Sequence, residues 1–356
     1  MKYKERIDLL SKTLLKKGIY HYLINDPADL FYLSGFYEHD ALGLFDTEEQ
    51  LLFVFCDPRL TKIAQEKIQY GEVIEYTGDI YKKIEEYIEG SIWISHNTSL
   101  EVHKALQKYF NVIDIERSPL SIQRALKDED EINLIKEACA ITDNVFQYIL
   151  PYIKEGITEK QIAWEIEKAH KEYGADSLSF PCIIAFGENS ACPHHISSEK
   201  KLKKNTPILI DMGCSYYNYS SDMTRMIWFG DRVDKEFKKD YEDLLQAQIY
   251  SCNNFKEVVT GKEIDTLCRN HLKKNKLDTY FIHSLGHSIG IEVHDGESLS
   301  RRSDKKIQPG FVATIEPGIY KEGKYGIRIE DTVAIHPKTK KLEILTKTSK
   351  KLHIIG

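Results

Sequence analysis

The sequence predicts a chain of the α/β (α+β) class, with a small α/β domain followed by a larger domain of helices and strands. Its 356 residues exceed the usual size of one domain, about 100–200 residues. Up to about residue 120, helical and strand-like patterns alternate, which is typical of an α/β layer. A long amphipathic helical pattern begins after Ser118 and Pro119. We therefore expect domains at 1–122 and 123–356.

Apolar spacing and turn residues locate the elements of the first domain. The stretch 4–17 has apolar residues at helical spacing, and Gly18 follows at the expected C-cap position. The run QLLFVF stops before Asp57 and Pro58, as a strand does at a turn. Further helices are predicted at 80–88 and 100–109, and further strands at 91–95 and 111–115.

The second domain opens with two predicted helices and continues with apolar strand-like runs. The first helix, 127–150, begins with acidic residues that suit the positive end of a helix. The second, 158–173, has Thr158 and Gln161 at capping-box spacing. The predicted strands are PCIIAF, PILIDMG, MIWFG, FVATIEPGIY and TVAIH.

Composition excludes several classes of protein. The longest apolar run is Leu51 to Cys56, far short of the roughly 18 residues that span a bilayer, and no secretory signal is visible, so we expect a cytoplasmic protein without membrane contact. The seven cysteines contain no C-x-x-C pair, which argues against disulfides and thiolate zinc sites. A formal net charge of −6 gives no field that would hold nucleic acid.

Acidic residues and a histidine interrupt the apolar runs of the second domain, where an isolated charge is costly. They are Asp211, Asp222, His287, Glu316 and Glu330. Each alone is explained by a cap, a turn or a backbone contact. Four carboxylates that converge would repel one another without cations, and two divalent ions would balance them. Carboxylate and imidazole ligands suit manganese, which we expect first, and also cobalt, zinc or iron.

These five motifs, in this order, resemble those of the pita-bread metallopeptidases, specifically the Xaa-Pro aminopeptidase and prolidase branch. The segment NDPADLFYLSGF at 25–36 is similar to the N-terminal domain of the same branch. The resemblance covers nearly the whole chain. It implies a small creatinase-like N-terminal domain followed by a pita-bread catalytic domain.

The resemblance also implies how the five residues share two metal ions. Asp211 resembles the carboxylate that chelates one metal. Asp222 and Glu330 resemble the bridging carboxylates, and His287 and Glu316 resemble the remaining ligands of the other metal.

Further residues resemble the catalytic and substrate-binding groups of the family. His194 stands where a histidine helps to bind substrate, and His294 stands where a second lies near the tetrahedral intermediate. Glu316 is expected to relay a proton to the leaving nitrogen. His283 is expected to line the substrate pocket, and Arg302 resembles an arginine that binds the C-terminal carboxylate of the substrate.

Some positions leave alternatives open or depart from the family pattern. By spacing alone, His195 could replace His194, and Arg301 lies beside Arg302. Ser288 occupies a position where glycine is common, and DGESL follows His294 where a proline-containing stretch is usual. We expect these departures to alter the shape of the pocket more than metal binding.

The expected function is a dinuclear metal-dependent exopeptidase that cleaves between an N-terminal residue and a following proline, an Xaa-Pro aminopeptidase. Arg302 favours one alternative, a strict Xaa-Pro dipeptidase (prolidase). Another is a catalytically inactive binding protein with the same fold, and a more remote one is a cysteine hydrolase that uses Cys192 beside His194. The expected partners are a peptide with proline in second position and a second copy of the chain in a homodimer.

Overall fold

The structure is a computed structural model that describes residues 2–115, 117–256 and 259–356. The chain divides into two compact units, Met1–Arg124 and Ala125–Gly356. Within the described residues, no helix combines the length and apolar character needed to cross a membrane.

The first unit is built on a six-stranded mixed sheet with the order β4-β3-β2-β1-β5-β6. Its strands are β1 (His21–Ile24), β2 (Leu42–Asp46), β3 (Leu51–Cys56), β4 (Glu72–Glu75), β5 (Ser91–Ser95) and β6 (Asn111–Ile115). Its helices are α1 (Tyr3–Leu15), α2 (Pro27–Ser34), α3 (Thr61–Lys67), α4 (Ile80–Glu85), α5 (Leu100–Leu106) and α6 (Pro119–Arg124). Strand β2 runs antiparallel to β1 and β3, whereas β1–β5, β3–β4 and β5–β6 are parallel pairs.

The predicted helices and strands of this unit are confirmed, and their boundaries follow local chemistry. Helix α1 buries Leu10 and Leu14, and Gly18 follows it with a positive φ of 67°. Helix α2 begins at the N-cap Asp26, whose carboxylate accepts backbone hydrogen bonds from Ala28 and Asp29. The segment that carries the family resemblance, 25–36, therefore consists of the turn after β1 and helix α2.

Among its described residues, the second unit combines four α-helices with several small sheets. The helices are α7 (Glu129–Ile149), α8 (Glu159–Glu172), α9 (Lys235–Asn254) and α10 (Gly261–Lys273). The strands are β7 (Ser177–Leu178), β8 (Ile183–Phe186), β9 (Thr206–Met212), β10 (Cys214–Tyr216), β11 (Tyr219–Ser220), β12 (Met223–Phe229), β13 (Gly286–His287), β14 (Ser298–Leu299), β15 (Val312–Ile315), β16 (Gly318–Lys321), β17 (Tyr325–Arg328), β18 (Asp331–Ile335), β19 (Leu342–Ile344) and β20 (His353–Ile355). Helices α7 and α8 match the prediction, including the capping box of Thr158 and Gln161.

One sheet of this unit, with the order β20-β12-β9-β8, separates two hydrophobic cores. Ile208 and Ile210 of β9 and Ile227 of β12 enter the core that also contains residues of α7 and α8. Leu209 and Met226 enter the core that contains residues of α9 and α10. Successive side chains of a strand point to opposite faces, so both faces of this sheet are buried.

The ends of these strands bring the acidic residues of distant segments together. Asp211, near the end of β9, pairs in register with Thr224 of β12. The run FVATIEPGIY, predicted as one strand-like segment, is divided into β15 and β16 by Glu316 and Pro317. Strand β15 pairs with β18, which begins directly after Glu330. The fold thus gathers one end of several strands at a single place.

Candidate metal centre

One cavity of about 1400 Å³ in the second unit collects most of the residues singled out by the sequence. Its lining includes Asp211, Asp222, Glu316, Glu330, His287, His194, His283 and His294. Arg302 is exposed and does not line this cavity, while its neighbour Arg301 lies with Nε 3.9 Å from an oxygen of Asp265. Cys192 is also exposed and is not among the lining residues.

The side chains meet at distances suited to shared ligation of a cation. Ligand atoms of Asp222, His287 and Glu330 lie within 4.8 Å of one another. The Nε2 atom of His287 is 3.5 Å from Oδ2 of Asp222 and 3.5 Å from Oε1 of Glu316. Residues separated by up to 108 positions in the sequence, the difference between 222 and 330, therefore face one point.

The electrostatics show more negative charge than the surrounding protein balances. Burial, followed by the nearby Asp211 and Glu316, raises the pKa of Asp222 well above its usual range. Burial, followed by Asp222, does the same to the pKa of Glu330. The pKa of Glu316 is also raised, mainly by burial. Carboxylates in such a cluster favour a positive ion between them.

Two carboxylate oxygens of this cluster are buried and lack a hydrogen-bond donor among the described residues. They are Oδ1 of Asp211 and Oε1 of Glu330. Glu330 accepts one bond through its other oxygen, from Thr224 Oγ1 at 2.6 Å. Buried polar atoms are normally paired, and an unpaired carboxylate oxygen that faces other carboxylates is a suitable ligand for a hard divalent cation. The donor set of this chain thus fits divalent metal ions.

Arg328 supplies a positive charge at the edge of the cluster and organises it. Its guanidinium donates to a carboxylate oxygen of Asp211. Its Nε donates to Thr224 Oγ1 at 3.0 Å, and its other terminal nitrogen donates to the Tyr320 hydroxyl at 2.9 Å. One arginine offsets one of the four carboxylates, so it orients Asp211 without neutralising the site.

His283 is held in one orientation on the wall of the cavity. Its Nδ1 is 2.8 Å from the carbonyl oxygen of Ser284, which only accepts, so the proton lies on Nδ1. Its Nε2 is 2.9 Å from the Tyr320 hydroxyl and accepts from it. Burial, with Arg328 nearby, lowers the pKa of His283 to about 4. The imidazole is therefore neutral near pH 7.

Three further histidines line the cavity, His194, His195 and His294, and His294 lies close to a ligand candidate. The ring of His294 is 4.1 Å from the ring of His287, measured between centroids. Burial, together with His287 and His194, lowers the pKa of His294 to about 4. Ser288 holds the segment that carries His294, because its hydroxyl donates a hydrogen bond to the carbonyl oxygen of Asp295. Ser288, the departure from the usual glycine, thus fixes the loop that carries His294.

Sequence reasoning missed three buried polar residues around the carboxylates: Thr224, Tyr320 and Arg328. A simple signal exists for each. Thr224 lies two positions after Asp222, and Arg328 lies two positions before Glu330. Tyr320 lies four positions after Glu316. In extended segments, residues at even spacing share a face, so polar residues at these positions could have been assigned to the same site.

Known proteins share both the sequence pattern and the fold of this chain. Residues 133–337 match metallopeptidase family M24, and residues 6–124 match the creatinase/prolidase N-terminal domain. The Xaa-Pro dipeptidase of Pyrococcus furiosus is 33% identical over 98% of this chain and 99% of its own length. These matches confirm the predicted resemblance.

Solved structures agree with this assignment. An Xaa-Pro dipeptidase from Bacillus anthracis has a TM-score of 0.93 and 30% identity, and the match covers 99% of this chain and 100% of that one. An X-Pro aminopeptidase from Thermotoga maritima has a TM-score of 0.88 and 32% identity, with 97% and 99% covered. The predicted fold class, an N-terminal α/β domain before a pita-bread catalytic domain, is confirmed. With acidic and histidine side chains gathered in one cavity of its second unit, the chain belongs to metallopeptidase family M24 and is a metallopeptidase.

Proposed function

We propose that this metallopeptidase cleaves the bond between an N-terminal residue and a following proline, and that it works with two divalent cations. The observation that carries the proposal is the convergence of four carboxylates and His287 in one cavity with a single neighbouring guanidinium. The names of the relatives, Xaa-Pro dipeptidase and X-Pro aminopeptidase, support the choice of bond.

The five residues proposed to hold the metal ions are Asp211, Asp222, His287, Glu316 and Glu330. Asp222 and Glu330 are proposed to bridge the two ions, in keeping with their close approach to His287. Manganese is the proposed first choice, and cobalt, zinc or iron would suit the same oxygen and imidazole donors. Bound divalent cations would lower the pKa of a coordinated water and polarise the scissile carbonyl.

The remaining side chains are proposed to bind substrate and move protons. His294, neutral near pH 7, would hydrogen-bond to the oxygen on which negative charge develops. Glu316 would carry a proton to the leaving nitrogen, and proline requires this because its peptide nitrogen has no hydrogen. His194 and His283 would contact the substrate from the wall of the cavity.

We propose substrates longer than dipeptides, so that the chain acts as an Xaa-Pro aminopeptidase. The cavity of about 1400 Å³ is larger than the roughly 300–1000 Å³ of pockets that enclose a drug-sized ligand. Arg302, the residue proposed to bind a dipeptide carboxylate, lies outside the lining of the cavity. The second candidate is a strict dipeptidase, which the names of two relatives favour.

A small panel of peptides tests both proposals on the metal-loaded protein. The panel contains an Xaa-Pro dipeptide, the same sequence extended by one residue, and versions of both with alanine in place of proline. Release of the first residue from both proline peptides supports the aminopeptidase. Cleavage of the dipeptide alone supports the strict dipeptidase. Tight binding of divalent ions without cleavage of any proline peptide would contradict the proposed activity and favour a binding protein.

A further inference from the structure

One buried carboxylate, that of Glu159, holds the segment that carries His194. Glu159 is the first residue of α8 and is fully buried. Its Oε1 accepts a hydrogen bond from the backbone N–H of Phe186 at 2.7 Å and another from Asn189 Nδ2 at 2.9 Å. This oxygen therefore holds the beginning of the segment 186–198.

The second oxygen of Glu159 holds the other end of the same segment. It accepts from the backbone N–H of Ser198 at 2.8 Å, from the Ser198 hydroxyl at 2.6 Å, and from His195 Nε2 at 2.8 Å. Burial raises the pKa of Glu159, but the hydrogen bonds from Ser198 and His195 outweigh it and leave the pKa below its usual value. An ionised carboxylate only accepts, so His195 carries its proton on Nε2.

This arrangement fixes the backbone on both sides of His194. His194 lines the cavity, and within the described residues the structure gives its ring no hydrogen bond of its own. Its neighbour His195 is tied directly to Glu159. The position of the His194 ring therefore depends on the backbone that Glu159 holds, more than on any contact of the ring itself.

We propose that Glu159 is a positioning residue for His194, acting through His195 and Ser198, and this inference rests on the proposed function. Glu159 is buried and lies outside the lining of the cavity. Its contribution is to keep His194 in the orientation that the reaction needs. Misplacement of a catalytic or substrate-binding group by about 1 Å can lower activity on the order of a hundredfold.

The substitution Glu159→Gln keeps the size of the side chain and replaces one acceptor oxygen with a donor NH₂ group. In either orientation of the amide, its NH₂ group then faces N–H or O–H donors at one end of the segment 186–198. Hydrogen–deuterium exchange measured by mass spectrometry detects the loosening of this segment and does not depend on an activity assay. We expect faster exchange in peptides that cover 186–198. The matched control is Glu172→Gln, an exposed glutamate on the same helix, which should leave that exchange unchanged.

A double-mutant cycle shows whether Glu159 acts through His194. We expect Glu159→Gln to lower kcat/KM on a proline peptide by about 10- to 100-fold in the wild-type background. In a His194→Ala background the same substitution should change kcat/KM by less than about twofold. In a His294→Ala background it should keep its full effect, since His294 lies on a different segment.

The outcomes separate a positioning role from a general effect on folding. An equal loss of kcat/KM in all three backgrounds would overturn the inference, as would an active Glu159→Gln protein with unchanged exchange in 186–198. If Glu159→Gln does not fold, Ser198→Ala removes the hydroxyl bond to the second oxygen of Glu159 without changing a residue that lines the cavity, and it must show the same dependence on His194. A wild-type protein that cleaves no proline peptide refutes the proposed function, while the exchange measurement still reports whether Glu159 holds the segment.

Discussion

Two consecutive carboxylates, Glu330 and Asp331, have opposite environments although each is only 1% exposed. Asp331 is surrounded by donors: Arg225 at 2.7 Å, Gln248 at 3.1 Å, and the ammonium group of Lys350. Burial raises the pKa of Asp331, but Arg225 and Lys350 outweigh burial and lower it overall. The protein's own side chains therefore balance the negative charge of Asp331.

The carboxylate of Glu330 has the opposite environment, with too little positive charge around it. The hydrogen-bond donor to its side chain among the described residues is Thr224, and the neighbouring carboxylates affect its pKa more strongly than Arg328 does. Burial and Asp222 raise its pKa well above the usual range. The comparison teaches that burial of a carboxylate does not by itself indicate function. A buried carboxylate whose charge the protein does not balance indicates a functional site, because a cation from outside the chain must supply the missing positive charge.

The largest expected effect is the loss of activity when Glu330 is replaced. Glu330→Gln removes a proposed bridging ligand, and several kcal/mol of transition-state stabilisation depend on the metal pair. Activity on a proline peptide should therefore fall by about a thousandfold or more. The matched control Glu322→Gln, on an exposed turn, should keep wild-type activity. Activity of Glu330→Gln within tenfold of wild type would remove Glu330 from the site.

The second prediction concerns stability without metal, where Asp331 should matter more than Glu330. Asp331→Asn leaves Arg225 buried with no full counter-charge, which should lower the free energy of unfolding by about 3–5 kcal/mol. Glu330→Gln relieves repulsion among carboxylates, so it should not lower the free energy of unfolding by more than about 1 kcal/mol. Urea unfolding in the presence of a chelator measures both. Equal destabilisation by the two substitutions would show that the environments do not differ as described.

The third prediction concerns the stabilisation that added metal gives. At a free manganese or cobalt concentration of about 100 Kd, the wild-type protein should gain about 2.7 kcal/mol of stability for each ion that it binds. Asp331→Asn should keep this gain although it starts from a lower stability, whereas Glu330→Gln should lose most of it. Thermal unfolding with and without the metal measures the gain. A gain in Glu330→Gln as large as in wild type would contradict the proposed ligand set.

The sequence allowed much of this comparison to be predicted, because a charge inside an apolar run is visible without a structure. Glu330 follows GIRI, and Asp211 follows PILI, so both stood out as acids in buried strands. The gathering of these residues in one cavity followed from the family resemblance, since spacing alone does not show which strand ends meet. The roles of the ligands and the boundary at 122/123 stay predictions.

The partners of the carboxylates were harder to predict. The pairing of Arg225 with Asp331 joins positions 106 apart, and no local pattern indicates it. In the sequence, Glu159 is an acid in the first turn of α8, where many helices carry one. Its hydrogen bonds to residues 27 to 39 positions away appear only when the chain is folded. Helices α9 and α10 were not predicted, although their N-caps, Asp234 and Thr260, are common capping residues.

The last prediction extends the comparison to a buried base. His170 is fully buried in α8, and the structure records contacts of its ring with the Thr142 hydroxyl at 3.5 Å and the Ile166 carbonyl oxygen at 3.0 Å. Burial lowers the pKa of His170 from its ordinary value of 6.5 to about 4. The unfolded chain therefore binds a proton between pH 6.5 and 4 that the folded chain does not bind.

Stability should therefore fall as the pH drops from about 6.5 to about 4, and His170 should account for up to about 3 kcal/mol of that loss. His283 and His294, whose pKa values are also lowered to about 4, contribute in the same direction, so wild type and His170→Gln must be compared. Urea unfolding at several pH values in a chelator should give a shallower dependence for His170→Gln, by close to one proton. Identical pH dependences for the two proteins would show that His170 takes up a proton in the folded state as readily as in the unfolded chain.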